Sequence, residues 1–329
     1  MTATDLYPLR FEPRFQYRLW GGRELGAFMD ADLPGSDPIG EAWILSDRDD
    51  FSSRIENGPL AGQTLTDLMR DHKADLLGRQ GARFERFPLL LKFLDVEKML
   101  SVQVHPRDDQ TKLIPKGDTG KTEGWVVLQS KAEARVYAGL KPGTTAQDLR
   151  ALDIANVDAR LASFQPQPGQ AVLIEAGTVH ALGDGVMVFE IQENSDVTFR
   201  LYDWGHVDAK TGKSRPLQVD EALACVDFDR GAITPVRPQP EATGGAERLF
   251  DNAHFKLVRW QGSGPFPVGA PSEARVLVCA DGAGDVEIGA QSAPMKRGDV
   301  VLAPAAIGAG RFVPQGSATV LEIAIPEVR

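Results

Sequence analysis

The stretch FPLLLKFLDVEKMLSVQVHPRDD, residues 87–109, sets the tightest limit on what this chain can fold into. An apolar run from Phe87 to Leu94 leads into Ser101, Gln103 and His105, which alternate with Val102 and Val104. Successive side chains of a strand point to opposite faces, so the three polar residues share one side. An edge strand with a wet face is the simplest reading. Runs as apolar as 87–94, however, usually lie deep in a sheet, and a polar row inside β-structure has to be satisfied, which a metal or a ligand can do.

The rest of the chain reads mainly as short strands punctuated by glycine and proline. Helical spacing is confined to a few places. LTDLMRDHKADLLG (65–78) has Thr64 or Thr66 as a cap and Gly78 as a stop, 144–164 forms a second helical zone, and 217–228 a last short helix. The Pro/Gly-rich segment 232–247 predicts a linker. On either side of it lies a weak repeat, in which PGQAVLIEAGTVHAL (168–182) resembles RGDVVLAPAAIGAGRF (297–312). Each copy is a turn glycine, a strand and a small-residue loop, which predicts two related β-barrel units, 1–231 and 248–329. In that register His180 falls on Ala309, so the second unit is expected to bind no metal.

With 42% hydrophobic and 25% charged residues the chain can build a sizeable core. A formal net charge of −10 disfavours nucleic acid or an anionic membrane as main partner, and nothing implies a protein partner. A local basic cluster could still take a small phosphorylated molecule. Two cysteines, Cys225 and Cys279, make no disulfide framework. The opening MTATDLYPLRFEP lacks a signal-peptide pattern and no apolar stretch is long enough to span a bilayer, so a cytoplasmic location is expected.

Of five histidines, His105 and His180 stand out, with Glu123 between them in GKTEGW. Together with Gln103 they make a nitrogen and oxygen donor set suited to Zn²⁺, Fe²⁺, Mn²⁺ or Ni²⁺; the alternative for each histidine is a hydrogen-bonded core or surface residue. For His72, His206 and His254 that second reading is preferred. Arg200, inside the strand pattern TFRLYDW, is either a paired structural cation or a contact to an anion or transition state. Lys92 interrupts the most apolar run and needs a partner, either an internal salt bridge or a phosphate. Trp20 and Trp43 read as core, or as the wall of a sugar site.

The pieces RLWGG, GEAWILSD, FPLLLKFLDVEKMLSVQVHP, GKTEGWVVL, EAGTVHAL and EIQENSDVTFRLYDWG, taken in order from about residue 14 to 228, resemble the type I mannose-6-phosphate isomerases (phosphomannose isomerases). The chain is most similar to the short bacterial form, without the long helical insertion of eukaryotic members. The resemblance implies a mainly β cupin fold: two jelly-roll units, a few helices inserted in or packed on the first, and a degenerate second unit. It implies a metal-dependent aldose–ketose isomerase that interconverts D-mannose 6-phosphate and D-fructose 6-phosphate through an enediol. Carried over by motif, the zinc ligands are Gln103, His105, Glu123 and His180. Arg200 is the active-site arginine, Lys121 the lysine of the KTE motif and candidate proton shuttle (with Glu193 as another), and Ser101 a phosphate contact with Lys92 nearby. One departure is His206, where relatives commonly carry arginine. Two other functions share parts of this pattern: a non-haem metal cupin oxygenase, and a sugar-phosphate-binding cupin without catalysis.

Overall fold

A computed structural model describes residues 6–326. Four antiparallel sheets carry the chain. In the first two-thirds, a six-stranded sheet runs in the order Arg14–Gly22, Ile39–Leu45, Leu89–Val96, Val186–Glu193, Glu123–Ser130, Ala171–Ile174. It faces a five-stranded sheet ordered Phe199–Tyr202, Val102–Val104, His180–Gly183, Arg135–Leu140, Leu161–Phe164. A seven-stranded and a four-stranded sheet repeat the arrangement in the last third. The mainly β architecture expected from the strand pattern is present.

The apolar run at 87–94 is explained by burial on both faces, since every residue of Leu89–Val96 is buried. Leu89, Leu91 and Phe93 point outward into a core shared with the seven-stranded sheet, where Leu257, Val276, Leu302 and Ile323 meet them. Leu94 and Val96 point inward, toward Trp125, Val136, Leu182 and Val188 between the first two sheets. Each such side chain contributes about 1.5–3 kcal/mol by leaving water. Lys92 shares the inward parity, so a charge is carried into this interior.

Helices cover the outside. Leu65–Asp71 starts on a capping box between Thr64 and Asp67, breaks at His72, resumes as Lys73–Leu77 and stops at Gly78 with φ +60°. Ala146–Arg150, Val157–Arg160 and Val219–Cys225 lie against the outer face of the five-stranded sheet. The expected helical zone 144–164 is therefore too long. Leu161–Phe164 is a strand paired with Arg135–Leu140, an instance of sheet pairing overriding local helical spacing. The helix Glu24–Met29 was not foreseen among the N-terminal strands.

The segment 232–247 is held rather than free: Ile233 and Val236 donate backbone hydrogen bonds to Ala138 and Ala171, and Gln239–Pro240 adds an edge strand to the seven-stranded sheet. At the other end of the chain Leu9–Arg10 also joins that sheet, pairing with Val300–Ala303.

Candidate active site

Strand register places the polar side chains in rows. On the inner face of the six-stranded sheet, Trp43 lies opposite Lys92, Lys92 opposite Glu190, and Glu190 opposite Trp125. On the facing sheet Arg200 lies opposite Gln103, and Gln103 opposite His180. Glu123 enters from the first position of its strand and His105 just beyond Val102–Val104. The polar row at 101–105 thus faces a barrel interior, which is the answer to its alternation with valines.

His105, Glu123 and His180 are all buried, and their ligand atoms lie within 4.8 Å of one another. His105 Nδ1 stands 2.7 Å from the Val197 carbonyl oxygen and His180 Nδ1 stands 2.9 Å from that of Thr178. A carbonyl only accepts, so each Nδ1 carries the proton and each Nε2 presents a lone pair. Those two Nε2 atoms face Glu123 at 3.5 and 3.3 Å. His105 Nε2 is buried without a hydrogen-bond partner, and Glu123 Oε2 meets only the Lys121 ammonium beside it. Burial first, then the charge of Lys121, pushes the His105 imidazole down to about 3, so it stays neutral. Neutral imidazoles converging on a buried carboxylate, each held from behind by a carbonyl, fit a divalent metal.

Gln103 stands beside this group with Nε2 3.3 Å from His180 Nε2, while its Oε1 accepts from Ser101 Oγ at 3.0 Å. Turning the amide over would bring its oxygen to the same centre. Ser101 is buried, 1% exposed, and its hydroxyl is turned to Gln103.

A cavity of about 370 Å³ opens onto the cluster and is lined by Gln103, Lys121, Glu123, Glu190, Lys92 and Arg200. That volume is in the range of small-molecule sites, roughly 300–1,000 Å³. Lys121 Nζ lies 2.7 Å from Glu123 Oε2. Burial opposes the Lys121 charge, but Glu123 and Glu190 outweigh it and raise the ammonium, so Lys121 stays protonated. Lys92 Nζ lies 3.3 Å from Asp196 and 3.6 Å from Glu190, over the Trp43 ring at 4.6 Å. The internal salt bridge weighed for Lys92 is present, and Lys92 also faces the cavity.

Arg200 differs from the other cavity cations. Arg18 is paired with Glu41 at 2.8 Å and Arg215 with Asp203, whereas Arg200 has no carboxylate partner among the described residues and its Nε is buried unpaired. Burial, followed by the neighbouring Arg215 charge, lowers its pKa, although a guanidinium stays charged.

Glu190 was not singled out from the sequence. Burial and the Glu123 charge push its carboxyl up to about 7, against Lys121 and Lys92, and Trp125 Nε1 donates to it at 3.0 Å. Its signal was legible, since Glu190 and Gln192 interrupt VMVFEIQE at alternate positions as Ser101, Gln103 and His105 interrupt their strand. Arg18, Glu41 and Asp196 carry no such signal. Glu193 has the opposite parity and faces away from the cavity, toward His254 at 3.1 Å. His206 Nε2 meets the Met99 carbonyl at 2.9 Å, a structural contact.

The family model for the phosphomannose isomerase type I catalytic domain matches residues 9–139. Mannose-6-phosphate isomerase ManA of Bacillus subtilis (strain 168) is 32% identical over 315 residues, 94% of this chain and 96% of its own length. Mannose-6-phosphate isomerase of Streptococcus mutans is 28% identical over 307 residues, covering 93% and 95% of the two chains. Among solved structures, that of mannose 6-phosphate isomerase from Bacillus subtilis superposes with a TM-score of 0.85 at 27% identity, over 97% of this chain and 99% of that one. The fold is accordingly the cupin fold of these proteins.

Proposed function

This chain belongs to the mannose-6-phosphate isomerase family, and from that membership we propose that it interconverts D-mannose 6-phosphate and D-fructose 6-phosphate at the cavity above His105, Glu123 and His180. The observation that carries the reading is the buried pair of neutral imidazoles and a carboxylate beside one unpaired arginine. An aldose–ketose isomerisation moves a proton between adjacent carbons and builds negative charge on adjacent oxygens, and both needs have a residue here. Among metals, Zn²⁺ is the proposed occupant, held by His105, Glu123, His180 and the amide oxygen of a turned Gln103. Such an ion supplies a Lewis-acid contact to the sugar oxygens where charge develops.

The chain's own residues divide the rest. Arg200 stabilises the developing negative charge, having no other anion to satisfy it. Lys121 stays protonated and holds a proton toward the sugar oxygens, while Glu190, near neutrality, is placed to accept one. Trp20 and Trp125 line the cavity, and their apolar rings keep bulk water from the reacting carbons. Lys92 and Ser101 are the proposed phosphate contacts, which position the sugar from a distance. The proposed units are a catalytic one over 1–231, a joining segment over 232–247, and a second, metal-free cupin over 248–329. No helix among the described residues is long and apolar enough to cross a membrane, and the cytoplasm is the proposed place of action.

Incubation with mannose 6-phosphate should yield fructose 6-phosphate in a coupled assay; oxygen uptake in its place would favour a cupin oxygenase, and binding without turnover a sensor. Ser101 carries a sharper expectation, because its hydroxyl leaves Gln103 if it is to reach a phosphate. Ser101→Ala should weaken discrimination between phosphorylated and plain mannose while metal content is kept. Lost metal with discrimination intact would give Ser101 the task of orienting Gln103 instead.

A further inference from the structure

The strands that carry Glu123 and Glu190 inward also have an outward face, and the second unit meets them there. Gly124 has the outward parity. A Cβ on it would lie 2.6 Å from the Phe250 ring, so that ring rests on the backbone of the residue following Glu123. On the neighbouring strand Glu193, only 7% exposed, accepts the Thr122 backbone N–H at 2.7 Å through Oε1, and its own N–H donates to the Thr122 carbonyl at 3.2 Å. Glu193 Oε2 lies 3.1 Å from His254 Nδ1. His254 is itself fixed, because Asn252 Oδ1 accepts the backbone N–H groups of His254 and Phe255 at 2.8 and 2.9 Å. Phe255 is fully buried with its ring 5.9 Å from that of Phe250. Phe250 and His254 both come from the hairpin formed by Ala246–Asp251 and Lys256–Gly262.

Thr122 sits between Lys121 and Glu123. The segment that carries the metal-site carboxylate and its lysine is therefore gripped from behind at two points flanking Glu123, Thr122 through Glu193 and Gly124 directly, by one hairpin of the second unit. We propose that this hairpin is a positioning device for the metal site: His254 acting through Glu193 and Thr122, and Phe250 acting through Gly124, fix where the Glu123 carboxylate stands. This rests on the reading of Glu123 as a ligand. It gives the second unit, which lacks a histidine at the Ala309 position, a function for the first unit's chemistry. The residues behind metal ligands set affinity through orientation, and losing one costs about 10–100-fold in metal affinity or activity. The His254 side of this pair is partly exposed, so truncating His254 is expected to change global stability little. The two effects are therefore separable.

The test uses the full chain with His254→Ala, His254→Asn, Glu193→Ala and the double variant His254→Ala/Glu193→Ala. Zinc affinity is measured by competition with a chelator in the absence of substrate, alongside melting temperature, and kcat and KM are measured at saturating zinc. We expect His254→Ala to weaken zinc about tenfold and to lower kcat, with KM and melting temperature near wild type. His254→Asn, whose amide can donate where Nδ1 does, should restore most of the loss. The double variant should be no worse than Glu193→Ala alone, because both residues act along one path. Wild-type zinc affinity in His254→Ala, losses that follow melting temperature alone, or additive losses in the double variant would each overturn the proposal. Because zinc affinity is read without sugar, this result is distinct from whether mannose 6-phosphate is turned over.

Discussion

Arg200→Ala is expected to lower kcat by about 10²–10³-fold, on the order of 2.7–4 kcal/mol of transition-state stabilisation, with a much smaller change in KM. The magnitude follows from what surrounds the guanidinium. Four other cations line the same cavity with carboxylate partners: Arg18 with Glu41, Arg215 with Asp203, Lys121 with Glu123, and Lys92 with Glu190 and Asp196. Glu41 is held down to about 2 by Arg18 and Lys92 despite its burial, so that pairing is locked in. Arg200 alone of these has no carboxylate at ion-pair distance among the described residues, and register sets it in the same row as Gln103 and His180. A fixed charge of this kind acts where negative charge grows and costs no reorganisation when it does. Steady-state kinetics decides the matter. Unchanged kcat with a raised KM would transfer Arg200 to phosphate or ground-state binding.

His180→Ala should lose stoichiometric metal and, with it, turnover down to background. His180 is fully buried, 4.8 Å between ring centroids from His105 and edge-on to Trp125 at 5.6 Å. The hydrogen bond from Nδ1 to Thr178 leaves Nε2 turned to Glu123 and the Gln103 amide. Removing the ring takes a neutral donor from a site whose remaining members are His105, Glu123 and the Gln103 amide. His180→Gln serves beside it, since it fills more of the space and guards against misfolding. Metal analysis of the folded variants reads the outcome. Full metal retention in folded His180→Ala would remove His180 from the site.

The sequence carried this site unevenly, for physical reasons. The polar alternation at 101–105 was legible because period-two patterning reports a face directly, and Lys92 because a charge inside an apolar run is conspicuous. Which face is the interior was not legible, since parity has meaning only once Leu89, Leu91 and Phe93 are known to meet the second unit's sheet. Glu190 was within reach by the same alternation, whereas Arg18, Glu41 and Asp196 sit in polar surroundings where a charged residue is unremarked. His254 is the hydrogen-bonded residue that the sequence suggests, but its partner was not legible. Its partner Glu193 lies 61 positions away, in a different unit, and no local pattern reports a contact of that kind. The 144–164 zone shows the reverse error, where helical spacing around Leu149, Val157 and Leu161 was real but strand pairing claimed the final residues. The four proposed metal ligands rested on resemblance more than on spacing, because 75 residues separate His105 from His180 and strand register alone brings Gln103 opposite the latter.

The account stands most directly on whether isomerisation depends on a metal in this one cavity. Wild-type protein stripped by a chelator and assayed with mannose 6-phosphate should make no fructose 6-phosphate. Activity should then return in proportion to added Zn²⁺ and level off at one equivalent per chain. Full activity in verified metal-free protein, or restoration that continues well past one equivalent, would contradict it.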